Sequence, residues 1–366
     1  MSIARKTHLR GLTAAVLAVM LAASGAQGQG LRQPDFPAFN PDAVPQQGED
    51  GALFNLRMSD TRRPPEWFLA IYSGTTMGTY FYVASGICRV LERTFTEHRI
   101  HCVPLRSSGV GGNVTLMNEG RAQAVMVQTD TNYYAANGTR PMPAARSGAS
   151  LYNETAVLVV SKASGITSIT DLPGKRVNLG PEGSGTRSLW MDALKANDIA
   201  LSDLGEVFGA TQDSNVLALC DGSIDAFASW IGHPSPFIQS AVSRCDAQIL
   251  GMWSDGTASL VDSQEFLFPQ TIPANTYTNQ SQDVASYGFK ASLVFHRDTP
   301  DYIVCNTVRA VALNADLFRE QHPALSNFDP SEMFAQGNAL EFHNGVKIFL
   351  ASQNCPEVDF EIKDPR

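Results

Sequence analysis

Two features that would decide the class of this protein at once are missing from its 366 residues. Beyond the N-terminal region there is no apolar run of the roughly 20 residues that a membrane-spanning helix needs. There are no clusters of Lys and Arg either, and 27 basic residues against 36 acidic ones give a formal net charge of −9. Since phosphates are neutralised by clustered basic side chains, these absences argue against a membrane channel and against nucleic acid as a partner.

Signatures of common catalytic and metal sites are also missing. No two cysteines have CxxC spacing, which argues against a structural zinc site. The glycine-rich segment 180–186 has no P-loop lysine, and Ser184 within it does not fit a G-x-S-x-G nucleophile elbow. His98 and His101 fall on different predicted elements, and His233 has no evident nucleophile to serve. We therefore expect no enzyme, no cofactor and no metal, and a periplasmic hydrolase is the less favoured alternative.

The N-terminus is typical of an export signal. Basic residues precede an apolar run from Leu12 to Ala23, and residues 24–26 are small enough for a signal peptidase. We predict a cleavable signal peptide over residues 1–26 and a periplasmic location. Residues 27–66 are rich in Pro, Gly, Gln and Asp and are predicted to form a flexible N-terminal arm.

An even number of cysteines in an exported chain favours disulfides. The six are Cys88, Cys102, Cys220, Cys245, Cys305 and Cys355. Several pairings are open, and we favour neighbours in sequence: Cys88–Cys102, Cys220–Cys245 and Cys305–Cys355. Buried free thiols are the alternative for several of them.

Strands that alternate with helices through short turns predict two α/β lobes around a cleft. The first series has strands at 67–72, 100–105 and 124–127 and helices at 79–95 and 113–118. The second has strands at 176–179, 223–228 and 248–250 and a helix at 187–196. Apolar runs at 155–160 and 287–294 are expected to be strands near the crossings between lobes. This predicts lobe I over 67–157 and 289–366, and lobe II over 158–288.

Three turns rich in Gly, Ser and Thr lie between a predicted strand and a helix, at 73–79, 107–113 and 180–186. Backbone N–H groups, hydroxyls and the positive end of a helix dipole suit a carboxylate or another anion. One such turn is as readily explained by ordinary turn chemistry. Three at equivalent positions indicate a binding cleft, because ligands of open α/β sheets sit at the carboxyl ends of strands.

Other candidates border the predicted cleft. Gln128 and Asp130 follow an apolar strand, where a carboxylate would receive a ligand amino group, and a helix N-cap is the alternative for Asp130. Tyr277 lies in a linker and is either a ligand contact or part of hinge packing. Arg106 and Arg187 flank two of the turns and either pair with a ligand carboxylate or are solvated.

The ordered set of motifs resembles the TAXI family, the solute-binding subunits of TRAP transporters. SGTTMGTY at 73–80, QTD at 128–130 and GPEGSGT at 180–186 carry the resemblance, which extends over about residues 67–350. It implies a type II periplasmic-binding-protein fold, with two α/β lobes around a cleft and hinge strands. It also implies a receptor that closes on a small polar solute and delivers it to an ion-gradient-driven TRAP permease. A monomer is the expected default for a receptor that must open and close. Amino acids and organic acids are the expected solutes, with a glutamate-like carboxylate favoured.

Residue by residue, the resemblance implies ligand contacts at Gly74, Thr75, Thr76, Tyr80, Ser108, Asn113, Gln128, Asp130, Gly183, Ser184, Gly185, Thr186 and Tyr277. The second loop departs from the family pattern, with Val110 where Ser is usual and Ser108 where Gly is usual. A binding protein that serves a signalling receptor or another type of transporter is the alternative function, because its pocket would be the same.

Overall fold

The computed structural model describes residues 66–76, 78–182 and 184–356. The predicted signal peptide and, apart from Glu66, the predicted arm lie outside the described residues. Within these ranges, no helix combines the length and the apolar character needed to cross a membrane.

The first part of the chain builds a parallel βα series. Its elements are β1 (Trp67–Tyr72), α1 (Thr79–Arg93), α2 (Phe95–His98), β2 (Ile100–Leu105), α3 (Val110–Asn118), β3 (Ala124–Gln128) and α4 (Thr129–Ala136). β1 pairs in parallel with both β2 and β3, so the strand order is β2-β1-β3. The carboxyl ends of the three strands therefore lie at one edge of the sheet.

A long strand, β4 (Ala145–Ser161), leads into a second series of the same kind. Its elements are β5 (Arg176–Asn178), α5 (Gly185–Ala196), β6 (Glu206–Phe208), α6 (Asn215–Cys220), β7 (Ala226–Ile231), α7 (Pro236–Arg244), β8 (Ala247–Leu250), α8 (Asp255–Ser263) and β9 (Phe268–Ile272). β5 pairs in parallel with β6 and β7, which repeats the order of the first series.

A second long strand, β10 (Val284–His296), returns the chain to the first series. The remaining helices are α9 (Asp301–Leu313), α10 (Ala315–Arg319) and α11 (Asn344–Ser352). β10 pairs antiparallel with β4 and also with β3, whereas β4 pairs antiparallel with β7 and β8. Two similar α/β units joined by two crossing strands are the arrangement of a type II periplasmic-binding-protein fold, which confirms the predicted fold class.

The crossing strands contribute to a different hydrophobic core in each half of their length. Leu151 of β4 and Leu293 of β10 pack in the core that contains α1 and α9. Leu158 of β4 and Phe289 of β10 pack in a core with Trp190 of α5. We name the elements around these cores lobe I (β1–β3, α1–α4 and α9–α11) and lobe II (β5–β9 and α5–α8). The predicted lobe boundaries fall inside β4 and β10, and their positions within the strands remain predictions.

Some element boundaries differ from the sequence-based expectation. β4 begins ten residues earlier than the apolar run at 155–160, because polar residues in its first half hide the strand pattern. α3 begins at Val110 inside the predicted second loop, where the N–H of Asn113 donates to the carbonyl of Gly109 and closes a helical turn. β7 begins at Ala226 rather than at Ser223, whose N–H donates to the carboxylate of Asp221 in a turn.

The six cysteines form the three disulfides that neighbour pairing predicts. Cys88–Cys102 joins α1 to β2, Cys220–Cys245 joins the ends of α6 and α7, and Cys305–Cys355 ties the segment after α11 to α9. Each disulfide joins elements of one lobe, so the three bonds brace the lobes and do not clamp them together.

Candidate functional site

Helices of lobe I begin at the carboxyl edge of its sheet without side-chain caps. α1, α3 and α4 follow β1, β2 and β3, and their N-cap residues Gly78, Gly109 and Gln128 make no capping hydrogen bond through a side chain. The first N–H groups of a helix have no partner inside the helix, and they carry its positive end. This edge of lobe I therefore presents a set of backbone donors to an anion.

The predicted first and second loops place their residues at different depths. Thr75 and Ser108 are exposed, and Thr76 is half-buried. Gly74 is buried against Tyr80, and a Cβ built on it would lie 3.7 Å from the Cβ of that tyrosine. The hydroxyls of Thr75 and Ser108 are thus accessible, whereas Gly74 and Tyr80 belong to the floor of the loop.

Asn113 holds the two loops of lobe I to the end of β3. Its side-chain amide donates to the carbonyls of Ser73 and Met126, both at 2.7 Å, and the N–H of Ser107 donates to the carbonyl of Gly74 at 3.2 Å. The side chain of Asn113 is fully buried, and its Oδ1 has no hydrogen-bond partner among the described residues. The side-chain amide of Asn113 therefore donates to backbone carbonyl groups. A ligand contact at Asn113 remains a prediction.

In lobe II the third loop leads into a capped helix. Ser184 is the N-cap of α5, and its hydroxyl accepts from the N–H of Arg187 at 3.2 Å. Gly185 and Thr186 are exposed in the first turn. The guanidinium of Arg187 donates to the carbonyl of Gly180 at 3.2 Å, so it braces the loop, and Arg106 is exposed. Gly183 lies outside the described residues.

The side chain of Gln128 in lobe I lies close to the start of α5 in lobe II. A Cβ built on Gly185 would lie 3.5 Å from the Oε1 atom of Gln128. Gln128 ends β3 in lobe I, and Gly185 begins α5 in lobe II. Two of the predicted contacts, taken from opposite lobes, are therefore adjacent in space.

Glu154 is a functional candidate that the sequence analysis missed. It lies on β4 between the two cores and is only 4 % exposed. The hydroxyls of Tyr80 and Tyr152 donate to its two carboxylate oxygens at 3.1 Å and 3.3 Å. Burial raises the pKa of Glu154 to about 8, although hydrogen bonds from Tyr80, Gln128 and Tyr152 act in the opposite direction. The signal in the sequence was a single carboxylate inside the largely apolar run 149–160.

Asp130 is a second buried carboxylate of this region. It is 7 % exposed, and its Oδ1 accepts from the N–H of Thr131 at 2.5 Å and from its hydroxyl at 3.2 Å. Burial raises the pKa of Asp130 to about 6. Asp130 is the second residue of α4, whose N-cap is Gln128, so the alternative that Asp130 caps this helix is wrong.

A cavity of about 390 Å³ opens between α4, α5 and α8. Its wall contains Asp130 and Tyr134 from lobe I and Ser188, Asp192 and Phe266 from lobe II. A smaller cavity of about 130 Å³ lies beside the crossing strands. Among the predicted contacts that the structure describes, Asp130 lines the larger cavity and none lines the smaller one.

Tyr277 lies in a separate buried network beside the hinge strand β4. Its hydroxyl accepts from the N–H of Ser235 at 2.9 Å and hydrogen-bonds to Nδ1 of His233, whose Nε2 lies 3.1 Å from the carbonyl oxygen of Thr155. Since a carbonyl only accepts, Nε2 carries the imidazole proton, and the hydroxyl of Tyr277 donates to Nδ1. Burial lowers the pKa of His233 to about 4, so the imidazole is neutral at physiological pH.

The sequence of this protein matches the model of a known protein family. The model of the NMT1-like family matches residues 71–351. The chain belongs to the NMT1-like family. Its membership of the TAXI family remains a prediction.

Solved structures similar to this NMT1-like protein include two bacterial proteins. MatC from Rhodopseudomonas palustris, solved with bound malate, is 14% identical, with a TM-score of 0.48 over 70% of this chain and 88% of its own. The periplasmic aliphatic sulphonate binding protein SsuA from Escherichia coli is 15% identical, with a TM-score of 0.45 over 71% of this chain and 77% of its own.

Replacing Glu154 by Gln should remove a pH dependence of stability. Burial raises the pKa of Glu154 from 4.5 to about 8 in the folded state. The contribution of this carboxyl group to the free energy of unfolding is therefore full below about pH 4.5 and is lost as the pH rises through about 8. We expect the stability of the wild type to fall relative to Glu154→Gln over this window, by about 1.4 kcal/mol per unit of pKa difference. Thermal unfolding at a series of pH values measures this, with Glu92→Gln on the exposed face of α1 as the control. Parallel profiles for wild type and Glu154→Gln would contradict it.

Replacing Tyr277 by Phe should destabilise the protein in the absence of any ligand. The change leaves the N–H of Ser235 and Nδ1 of His233 without their partner, and an unsatisfied buried polar group costs about 1–3 kcal/mol. Urea unfolding measures the loss, and Tyr82→Phe is the matched control because Tyr82 is 41% exposed. Unchanged stability in Tyr277→Phe would show that the network does not support the hinge.

Proposed function

We propose that this protein is a periplasmic receptor that captures a small polar solute by closing its two lobes and delivers it to an ion-gradient-driven TRAP permease. The observation that carries the proposal is the meeting of Gln128 from lobe I with Gly185 from lobe II beside two shared strands. A solute held between these groups makes contacts with both lobes in the closed form. It therefore favours that form over the open one.

The proposed solute is an amino acid or organic acid with a carboxylate, of which a glutamate-like carboxylate is favoured. The uncapped starts of α1, α3 and α4 supply backbone donors from lobe I. The first turn of α5 faces the end of β3 with Gly185, and Thr186 adds a hydroxyl from lobe II. Positive helix ends and free N–H groups favour a carboxylate without requiring a basic side chain.

The ligand contacts implied by the family resemblance are proposed for this cleft. Those whose geometry supports the proposal most directly are Gln128 and Gly185, which are adjacent, and Ser184, which caps the helix at this point. Tyr80 acts through Glu154, and Asn113 acts through the loops it holds. We therefore assign Tyr80 and Asn113 to positioning of the site.

A panel of amino acids and organic acids tests the receptor function through thermal unfolding of the mature protein. A solute that binds the folded state alone should raise the midpoint, with about 2.7 kcal/mol gained at 100 times its dissociation constant. Gln128→Ala and Ser184→Ala should reduce this gain, because each removes a polar group at the contact between the lobes. Ser352→Ala on α11 is the matched control. The absence of any shift across carboxylates and amines alike would contradict the proposal.

The transporter class is tested separately. A gene for a TRAP membrane subunit is expected beside this one, and uptake of the identified solute into proteoliposomes that contain that subunit should require this protein. Uptake should stop when the ion gradient is dissipated and should be independent of ATP. Uptake that needs ATP in place of a gradient would contradict the TRAP assignment while leaving the receptor function intact.

A further inference from the structure

We propose that the cavity between α4, α5 and α8 receives an ammonium group and an attached apolar group of the solute, so that the protein selects amines over carboxylates that lack an amino group. This inference rests on the proposed function and specifies its solute class. The expected ligand is then an amino acid or amine with a sizeable apolar part and not a simple dicarboxylate.

The first argument is an unused acceptor in the cavity wall. Asp130 is 7% exposed, and both hydrogen bonds that it accepts, from Thr131, reach Oδ1. Among the described residues no donor reaches its Oδ2, and Asp130 forms no ion pair there. A buried carboxylate with one oxygen unsatisfied and no counter-charge is unfavourable, and an ammonium group supplies both the charge and the N–H donor that this oxygen lacks.

The second argument is a carboxylate from the other lobe. Asp192 of α5 is exposed, lines the same cavity and also forms no ion pair within the described part of the chain. Burial is the main cause that raises the pKa of Asp130, and the charge of Asp192 raises it further, while Arg140 lowers it. Burial raises the pKa of Asp192, and the charge of Lys195, the basic residue in the cavity wall, acts in the opposite direction without forming an ion pair with it. A cation between the two carboxylates would relieve their repulsion.

The third argument is the group of aromatic and aliphatic side chains in a wall that is otherwise polar. Tyr134 and Tyr287 line the cavity together with Phe266 and leucines of α5, α8 and the segment after α8. The rings of Tyr134 and Phe266 lie 5.6 Å apart between centroids and come from opposite lobes. Aromatic faces attract a cation and also accept an apolar group. A volume of about 390 Å³ falls within the usual range of small-molecule pockets, about 300–1,000 Å³.

The cavity wall contains residues that lie close in sequence to the proposed carboxylate site. Asp130 follows Gln128 by two residues, and Ser188, which lines the cavity, lies one helical turn beyond Ser184. A zwitterion can therefore place its carboxylate at the start of α5 and its ammonium group at Asp130. The two halves of the site then recognise opposite charges on one ligand.

Three compounds with the same ring test the proposal by calorimetric titration of the mature protein. Phenylalanine carries both charges, 2-phenylethylamine carries the ammonium group alone, and 3-phenylpropanoate carries the carboxylate alone. We expect the two amines to bind at least tenfold more tightly than 3-phenylpropanoate. Equal or tighter binding of 3-phenylpropanoate would overturn the proposal.

Substitutions of the two cavity carboxylates test whether the amine binds in this cavity. Asp130→Asn and Asp192→Asn keep the side-chain shape, and each should weaken 2-phenylethylamine about tenfold or more, since one charged hydrogen bond is lost. Asp262→Asn is the control, because Asp262 is an exposed residue of α8 that does not line the cavity. Thermal unfolding verifies that each variant folds, and two variants on different lobes keep the test decisive if one does not. Unchanged amine affinity in the folded variants would overturn the assignment.

The outcome also separates this inference from the proposed function. If glutarate binds and neither amine does, the cavity does not receive ammonium groups, but the receptor function stands. If neither the amines nor a panel of carboxylates binds, both proposals fail.

Discussion

The pairing of β4 with β10 is the constraint on which the rest of the structure depends. The two strands are paired from Gly288 and Thr155 to His296 and Ala145, and nearly all of their residues are buried. One half of each strand packs in the core of lobe I and the other half packs in the core of lobe II. Each lobe therefore needs both crossing strands to complete its core. The ends of β3 and β7 both lie beside the crossing, where Gln128 pairs with Ala291 of β10 and Ile231 pairs with Thr155 of β4.

Glu154 lies where the two cores separate, and its surroundings explain how a carboxylate is tolerated there. Tyr80 from α1 and Tyr152 from β4 donate to it, so it connects the first loop of lobe I to a crossing strand. Tyr277 and His233 form a comparable polar chain that reaches the backbone of Thr155 next to it. Both networks attach segments at the proposed cleft to the strand β4 through hydrogen bonds.

The distribution of covalent and aromatic contacts fits a molecule that opens and closes. Each disulfide lies within one lobe, whereas contacts between the lobes, such as Tyr134 with Phe266 and Gln128 with Gly185, are non-covalent. Contacts of this kind can be broken and remade at modest cost, so a ligand with affinity for both lobes is able to shift the equilibrium. The buried carboxylates of Glu154 and Asp130 lie near these contacts, so the proposed closure would be sensitive to the charge of the ligand.

The sequence by itself determined the alternation of strands and helices and the glycine-rich turns, because these depend on local periodicity and on turn chemistry. It left open several disulfide pairings, of which the structure contains the favoured one. It did not reveal Glu154 or Asp192, and it left the side chain of Asp130 with two interpretations, since local pattern does not show which residues from distant segments share an enclosed space. The first half of β4 was missed for a related reason: its polar residues are buried by pairing with β10, a contact between residues far apart in the chain. Only the tertiary structure decided these points, because burial and charge environment arise from the packing of one lobe against the other.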